Sequence, residues 1–154
     1  MENIKKITSF TVDHTKITPG LYVSRIDGDV VTYDMRHRTP NAGDYIDTLT
    51  MHSLEHMFAT YIRNSEVGEN VIYYGPMGCR TGFYLLVRDL SNEDVLGVTI
   101  DVLKKIVAHD GEMFGASEVE CGNYRELSLE SAKAEAARYL AVLENKDCTF
   151  TYPA

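Results

Sequence analysis

The chain has 154 residues, enough to bury one sizeable core without disulfides, and its 44% hydrophobic and 25% charged content is that of an ordinary globular protein. A formal net charge of -8 with no stripe of lysine and arginine argues against nucleic acid as a partner, because phosphate neutralisation needs clustered cations. No apolar run approaches the length that crosses a bilayer, and Met1 to Phe10 lacks the apolar core and small-residue cleavage site of a secretory signal. The expectation is a single catalytic domain over residues 1–154, located in the cytoplasm, with no membrane partner.

Ile7 to Val12 alternates as a half-buried strand does. Leu21 to Ile26 and Val30 to Met35 read as strands rich in Val, Tyr and Ile, with Asp27-Gly28 as a tight hairpin turn between them. Arg36 to Gly43, containing Pro40-Asn41, reads as a loop. From Asp47 to Asn64 the spacing predicts a helix, with Leu49, Met57, Phe58, Tyr61 and Ile62 on one broad face. Val71 to Tyr74 is a short predicted strand broken by Gly75-Pro76, and Thr81 to Arg88 is another. Ser91 to Asp94 fits the capping signature of a helix that is apolar nearly all round, predicted to be buried and to end at Asp110-Gly111. Gly115 to Asn123 is irregular, and Leu129 to Asn145 is helical after a cap at Ser128. Strands and helices do not alternate strictly, so the predicted class is α+β, a mostly antiparallel sheet packed against helices.

The strongest local signal is His52-Ser53-Leu54-Glu55-His56. Residues four apart on a helix lie one turn above each other, so both imidazoles can point at one ion with Glu55 beside them. The same H-x-x-E-H order occurs in the inverted zinc peptidases. Two histidines on a surface helix are often only that, so the case for a metal turns on a third ligand. A catalytic transition metal takes three protein ligands and keeps one position open. In a reducing compartment a thiolate suits that role. Cys121, next to Gly122 where backbone can approach closely, is one candidate, and Cys148 is the other, although its Thr and Phe neighbours suggest a buried small apolar residue. Spacing does not choose between them. A set of two imidazoles and one thiolate suits zinc or ferrous iron.

Ser9-Phe10 with Asp13-His14, Asp34-Met35-Arg36 before Pro40-Asn41, Thr50 to His56, Pro76 to Tyr84 (Pro-Met-Gly-Cys-Arg-Thr-Gly-Phe-Tyr), and Glu120-Cys121-Gly122 follow the order and spacing of the LuxS family, the S-ribosylhomocysteine lyases. The resemblance covers essentially the whole chain. It implies that His52, His56 and Cys121 bind one divalent metal per subunit, with Fe2+ expected as the native ion and Zn2+ or Co2+ able to replace it. It implies that Cys79 and Glu55 are the acid–base pair, that Ser9, His14 and Arg36 line the substrate site, and that the active sites form at a homodimer interface. The fold it implies is similar to that of the inverted zinc peptidases. One departure concerns Tyr73-Tyr74-Gly75, where the family commonly has Asp-Ile/Leu-Ser and where an acidic residue can contact the amino-acid end of the substrate. His37 and Arg38 also replace less polar neighbours of Arg36. His37 and His109, outside the matched motifs, read as surface or helix-end residues.

The implied chemistry is metal-assisted migration of a carbonyl along the ribose, followed by β-elimination to homocysteine and 4,5-dihydroxy-2,3-pentanedione, the precursor of the autoinducer-2 signal. Cys79 lies between Gly78 and the polar Arg80-Thr81, as expected of an exposed turn and not of a packed core. Two rivals share the helix. A metallopeptidase expects a downstream carboxylate as third ligand and gives Cys79 no role. A structural zinc module expects four protein ligands.

Overall fold

The computed structural model describes residues 3–154. The alternating segment after residue 20 folds into a hairpin of β1 (Gly20–Asp27) and β2 (Val30–Arg36), antiparallel with Asp27 opposite Val30. Gly28 takes φ +61 at the turn, a conformation that costs glycine no Cβ clash. β3 (Val71–Pro76) and β4 (Gly82–Arg88) follow the first helix, and among the described residues the sheet has the order β1-β2-β4-β3 with every neighbour antiparallel.

Three helices complete the α+β fold among the described residues: α1 (Thr48–Arg63), α2 (Asn92–Val107) and α3 (Leu129–Glu144). Each starts at a side-chain cap. Asp47 accepts from the Thr50 N–H, Ser91 and Asp94 form a reciprocal capping box, and Ser128 accepts from the Ser131 N–H. Tyr33 and Met35 of β2 and Phe83, Leu85 and Val87 of β4 alternate with residues of the other face. They pack into one core with Leu54, Met57, Phe58 and Ile62 of α1 and with the apolar sides of α2 and α3. Each of these side chains contributes about 1.5–3 kcal/mol by burial. None of the helices is long and apolar enough to cross a membrane.

The strand predicted to break at Gly75-Pro76 continues through both, paired with Tyr84 and Phe83 of β4, and further expectations need correction. Ile7 to Val12 forms no strand; a short 3-10 turn spans Thr8–Phe10, and Ile7 and Phe10 are exposed. The physical reason is local. The Thr11 hydroxyl bonds back to the Thr8 carbonyl and Asp13 accepts from Thr15, while the outer edge of β1 is met by Phe150 at Val23. α2 is not buried all round, since Glu93, Asp101, Lys104 and Lys105 form a solvent face, and it ends at Val107 before the predicted Asp110-Gly111 stop. His37 is not a surface residue. It is buried, stacked on Tyr139 at 3.8 Å between ring centroids and bonded through Nδ1 to Glu135 of α3 at 2.7 Å, while Arg38 beside it grips the same carboxylate.

Candidate metal centre

α1 carries His52 and His56 one turn apart with their rings edge to face, 4.7 Å between centroids. Each Nδ1 faces a backbone carbonyl, Glu126 at 2.8 Å and Phe114 at 2.9 Å. A carbonyl only accepts, so both Nδ1 atoms carry the hydrogen and both Nε2 atoms present a lone pair. Those lone pairs converge on Cys121, whose Sγ lies 3.4 Å from His52 Nε2 and 3.7 Å from His56 Nε2. The three ligand atoms all lie within 4.8 Å of one another. Bonds of about 2.05 Å to nitrogen and about 2.3 Å to sulfur at a tetrahedral angle would separate nitrogen from sulfur by about 3.5 Å. The observed separations bracket that value, and the donor set fits a divalent transition metal. The Asn123 N–H also donates to Sγ at 3.4 Å.

The loops that complete the centre are pinned to α1. Ser53, buried between the two histidines, bonds the Leu49 carbonyl and accepts from the Ser128 N–H at 2.7 Å, holding the segment that offers the Glu126 carbonyl. On the other side Tyr61, His109 and Phe114 form an edge-to-face cluster in which the Tyr61 hydroxyl meets His109 Nδ1 at 2.7 Å. Gly115 follows at φ +66, and a Cβ there would sit 2.8 Å from His56 Nδ1. The close approach expected at Gly122 is therefore made at Gly115, and Gly122 has open space around it. Cys148, the alternative ligand, packs against the core and is not one of the three, and burial pushes its thiol up.

Glu55 is half-buried and lines a cavity of about 300 Å³ with His52, Met51, Met77, Gly78 and Arg80. Cys79 is exposed and lines a second cavity, of about 320 Å³, with Ser9, His14, Arg36 and Tyr84. The two spaces share Pro76, Met77 and Gly78 as a wall. The structure thus collects the singled-out residues into two groups, His52, His56, Cys121 and Glu55 in one, and Ser9, His14, Arg36 and Cys79 in the other. Cys79 and Thr81 flank Arg80, whose left-handed φ of +61 costs a non-glycine residue about 1–2 kcal/mol. Arg36 is buried at the end of β2, not on the surface.

Sequence reading assigned no role to Asp34, Thr81 or Tyr152. Asp34 is fully buried and takes two bonds from the Arg36 guanidinium, Thr81 bonds both Arg36 and Cys79, and the Tyr152 hydroxyl donates to Asp34 at 2.7 Å. The spacing of Asp34 and Arg36 on a strand, two apart and hence on one face, was the available signal. Tyr73 is half-exposed, and its hydroxyl lies so near Gly75 that a Cβ there would come within 2.0 Å of it.

Residues 7–149 match the family model described as S-Ribosylhomocysteinase (LuxS). The chain is similar to the S-ribosylhomocysteine lyase of Borreliella burgdorferi, 45% identical over 157 residues that cover 97% of this chain and 100% of that one. It is 43% identical to the S-ribosylhomocysteine lyase of Finegoldia magna, covering 97% and 99% of the two chains. With the protein of the same description from Clostridium acetobutylicum it shares 41% identity, over 92% and 94%.

Proposed function

This chain belongs to the S-ribosylhomocysteinase (LuxS) family, and from that premise we propose that it acts as an S-ribosylhomocysteine lyase, a carbon–sulfur lyase, with a metal held by His52, His56 and Cys121. The observation that carries the proposal is the convergence of two Nε2 lone pairs on one sulfur beside a cavity lined by Glu55. Three ligands from the protein leave a position for sugar oxygens, as a catalytic site needs.

The carbon–sulfur bond of the substrate lies at the fifth carbon, far from the aldehyde. The carbonyl has to move from the first carbon to the second and then the third before the proton on the fourth becomes acidic and its loss expels the thiolate. When bound, the metal supplies Lewis acidity to neighbouring sugar oxygens and needs no redox change to do so. Cys79 takes a proton from one sugar carbon and returns it to the next, and Glu55 moves the protons at the later carbons, including the one lost before sulfur departs. Ser9, His14 and Arg36 hold and orient the substrate. The His14 Nδ1 bond to the Val12 carbonyl supports this role, because it leaves Nε2 as an acceptor for a sugar hydroxyl.

Fe2+ is the proposed native metal, with Zn2+ or Co2+ able to replace it, because thiolate and imidazole serve all three. The proposed unit is a cytoplasmic homodimer of single-domain chains whose sites form at the interface. The division of the residues between two cavities supports this, since Cys79 and Glu55 line different spaces. Exposed Ile4, Ile7 and Phe10, in the segment that carries Ser9, offer a partner apolar surface.

The test is anaerobic assay of metal-replete protein with S-ribosylhomocysteine, reading free thiol with a disulfide dye. Release of one thiol per substrate, lost on chelation and restored by metal, is expected. No release by the metal-replete protein would overturn the proposal.

A further inference from the structure

We propose that Thr81 is a positioning residue for Cys79, the last member of a buried hydrogen-bond relay that runs Tyr152, Asp34, Arg36, Thr81 and holds the sulfur in its acceptor form. The inference rests on the proposed acid–base role of Cys79 and extends it to residues outside the acid–base pair and the ligand set.

Donor and acceptor rules fix the direction of each link. A phenol facing a carboxylate donates, so Tyr152 gives its hydrogen to Asp34 Oδ2 at 2.7 Å. Arg36 has no acceptor. It donates through Nε and Nη2 to Asp34 and through Nη1 to Thr81 Oγ1 at 2.9 Å. Thr81 Oγ1 is thereby an acceptor from Arg36, and its own hydrogen has to find a different partner. Among the described residues the partner in reach is Cys79 Sγ at 3.0 Å. Thr81 is only 2% exposed, so solvent is no substitute, and a buried hydroxyl hydrogen without an acceptor is costly. A thiol that donated to Thr81 would leave that hydrogen stranded, so the sulfur has to accept it, and a thiolate accepts more strongly than a thiol.

The backbone keeps this geometry in place. The Thr81 carbonyl accepts from the N–H groups of both His37 and Arg38, at 2.9 and 3.0 Å, and the left-handed Arg80 between Cys79 and Thr81 brings the two side chains to one side of the turn. The charged and titratable groups around Cys79 are Arg36 and His14, with Tyr84 and Tyr45 across its two cavities and Asp34 behind Arg36. Two of the Arg36 nitrogens are bound by Asp34 and the third by Thr81, so the hydroxyl is the hydrogen-bonded link from the guanidinium to the sulfur, beside their direct charge attraction across the cavity.

The experiment follows alkylation of Cys79 by iodoacetamide against pH in metal-loaded protein, read by peptide mass spectrometry so that Cys121 and Cys148 do not enter. T81V should shift the alkylation profile towards higher pH and slow the reaction at pH 7 by about tenfold, equivalent to about one pH unit, while T81S should follow the parent. Y152F, remote from the sulfur, should shift the profile in the same direction by less and serves if T81V does not fold. Profiles of T81V or Y152F that superimpose on the parent would overturn the relay, as would a T81S profile displaced as far as that of T81V. Alkylation reads the thiol itself, so failure of the relay is distinguishable from failure of the lyase assignment, which thiol release from substrate decides.

Discussion

Glu135 is the place where one substitution should do most damage to the fold at the least distance from the site. It lies on the inward side of α3, 5% exposed, and takes hydrogen bonds from His37 and Arg38 at the start of the loop that leads into the metal-bearing helix. Burial alone pushes its carboxyl up, but the bonds from His37 and Arg38 outweigh it and hold the group at about 2, against 4.5 for an ordinary glutamate. At about 1.36 kcal/mol per pH unit the difference amounts to about 3 kcal/mol of stability at neutral pH. E135Q removes that charge and leaves the Arg38 guanidinium buried, with only the exposed Asp44 beside it at 3.5 Å. The expected loss is about 3 kcal/mol by urea unfolding at pH 7, or about 10 °C in Tm for a chain of this size. The folded carboxyl is the stronger acid, so its contribution is complete above 4.5 and fades as pH falls from there towards 2. The gap between parent and E135Q should close over that same window. Burial also pushes the His37 imidazole down from 6.5, against the pull of Glu135, so acid weakens the parent fold from about pH 6.5 downward as the unfolded chain takes up a proton. E135Q within about 0.5 kcal/mol of the parent at pH 7, or a gap equally large at pH 7 and pH 3, would refute the reasoning.

Two further predictions bear on the site. G115A places a Cβ 2.8 Å from His56 Nδ1 on a left-handed backbone, so it should displace the imidazole and speed release of bound zinc to a chelator by tenfold or more, on the order of an outer-shell loss; an unchanged release rate would refute it. C79A should abolish thiol release while leaving metal stoichiometry at one per chain, since Cys79 is not among the three grouped ligands; a hydrolase using the same helix would survive it.

What could be read from the sequence was whatever depends on near neighbours. The helical spacing from Asp47, the caps at Ser91 and Ser128 and the two histidines one turn apart are local patterns, and the helices and two of the three grouped metal ligands follow from them. His37 was misread because its partner, Glu135, is 98 positions away. The choice of Cys121 over Cys148 came from family resemblance, as spacing says nothing about which loop folds back over α1. The carbonyls of Glu126 and Phe114 that orient the imidazoles are backbone atoms and have no residue signature at all. The segment from Ile7 to Val12 carried the right alternation for a strand, but side chains of Thr11 and Asp13 turn the backbone locally, and alternation alone does not supply an edge to pair with.

X-ray absorption at the metal edge of loaded protein tests the central claim most directly. Two nitrogen scatterers and one sulfur from the protein, with one exchangeable oxygen that changes on addition of substrate, is the predicted shell. A shell without sulfur, or one closed by a fourth protein ligand, would contradict a catalytic centre built on His52, His56 and Cys121.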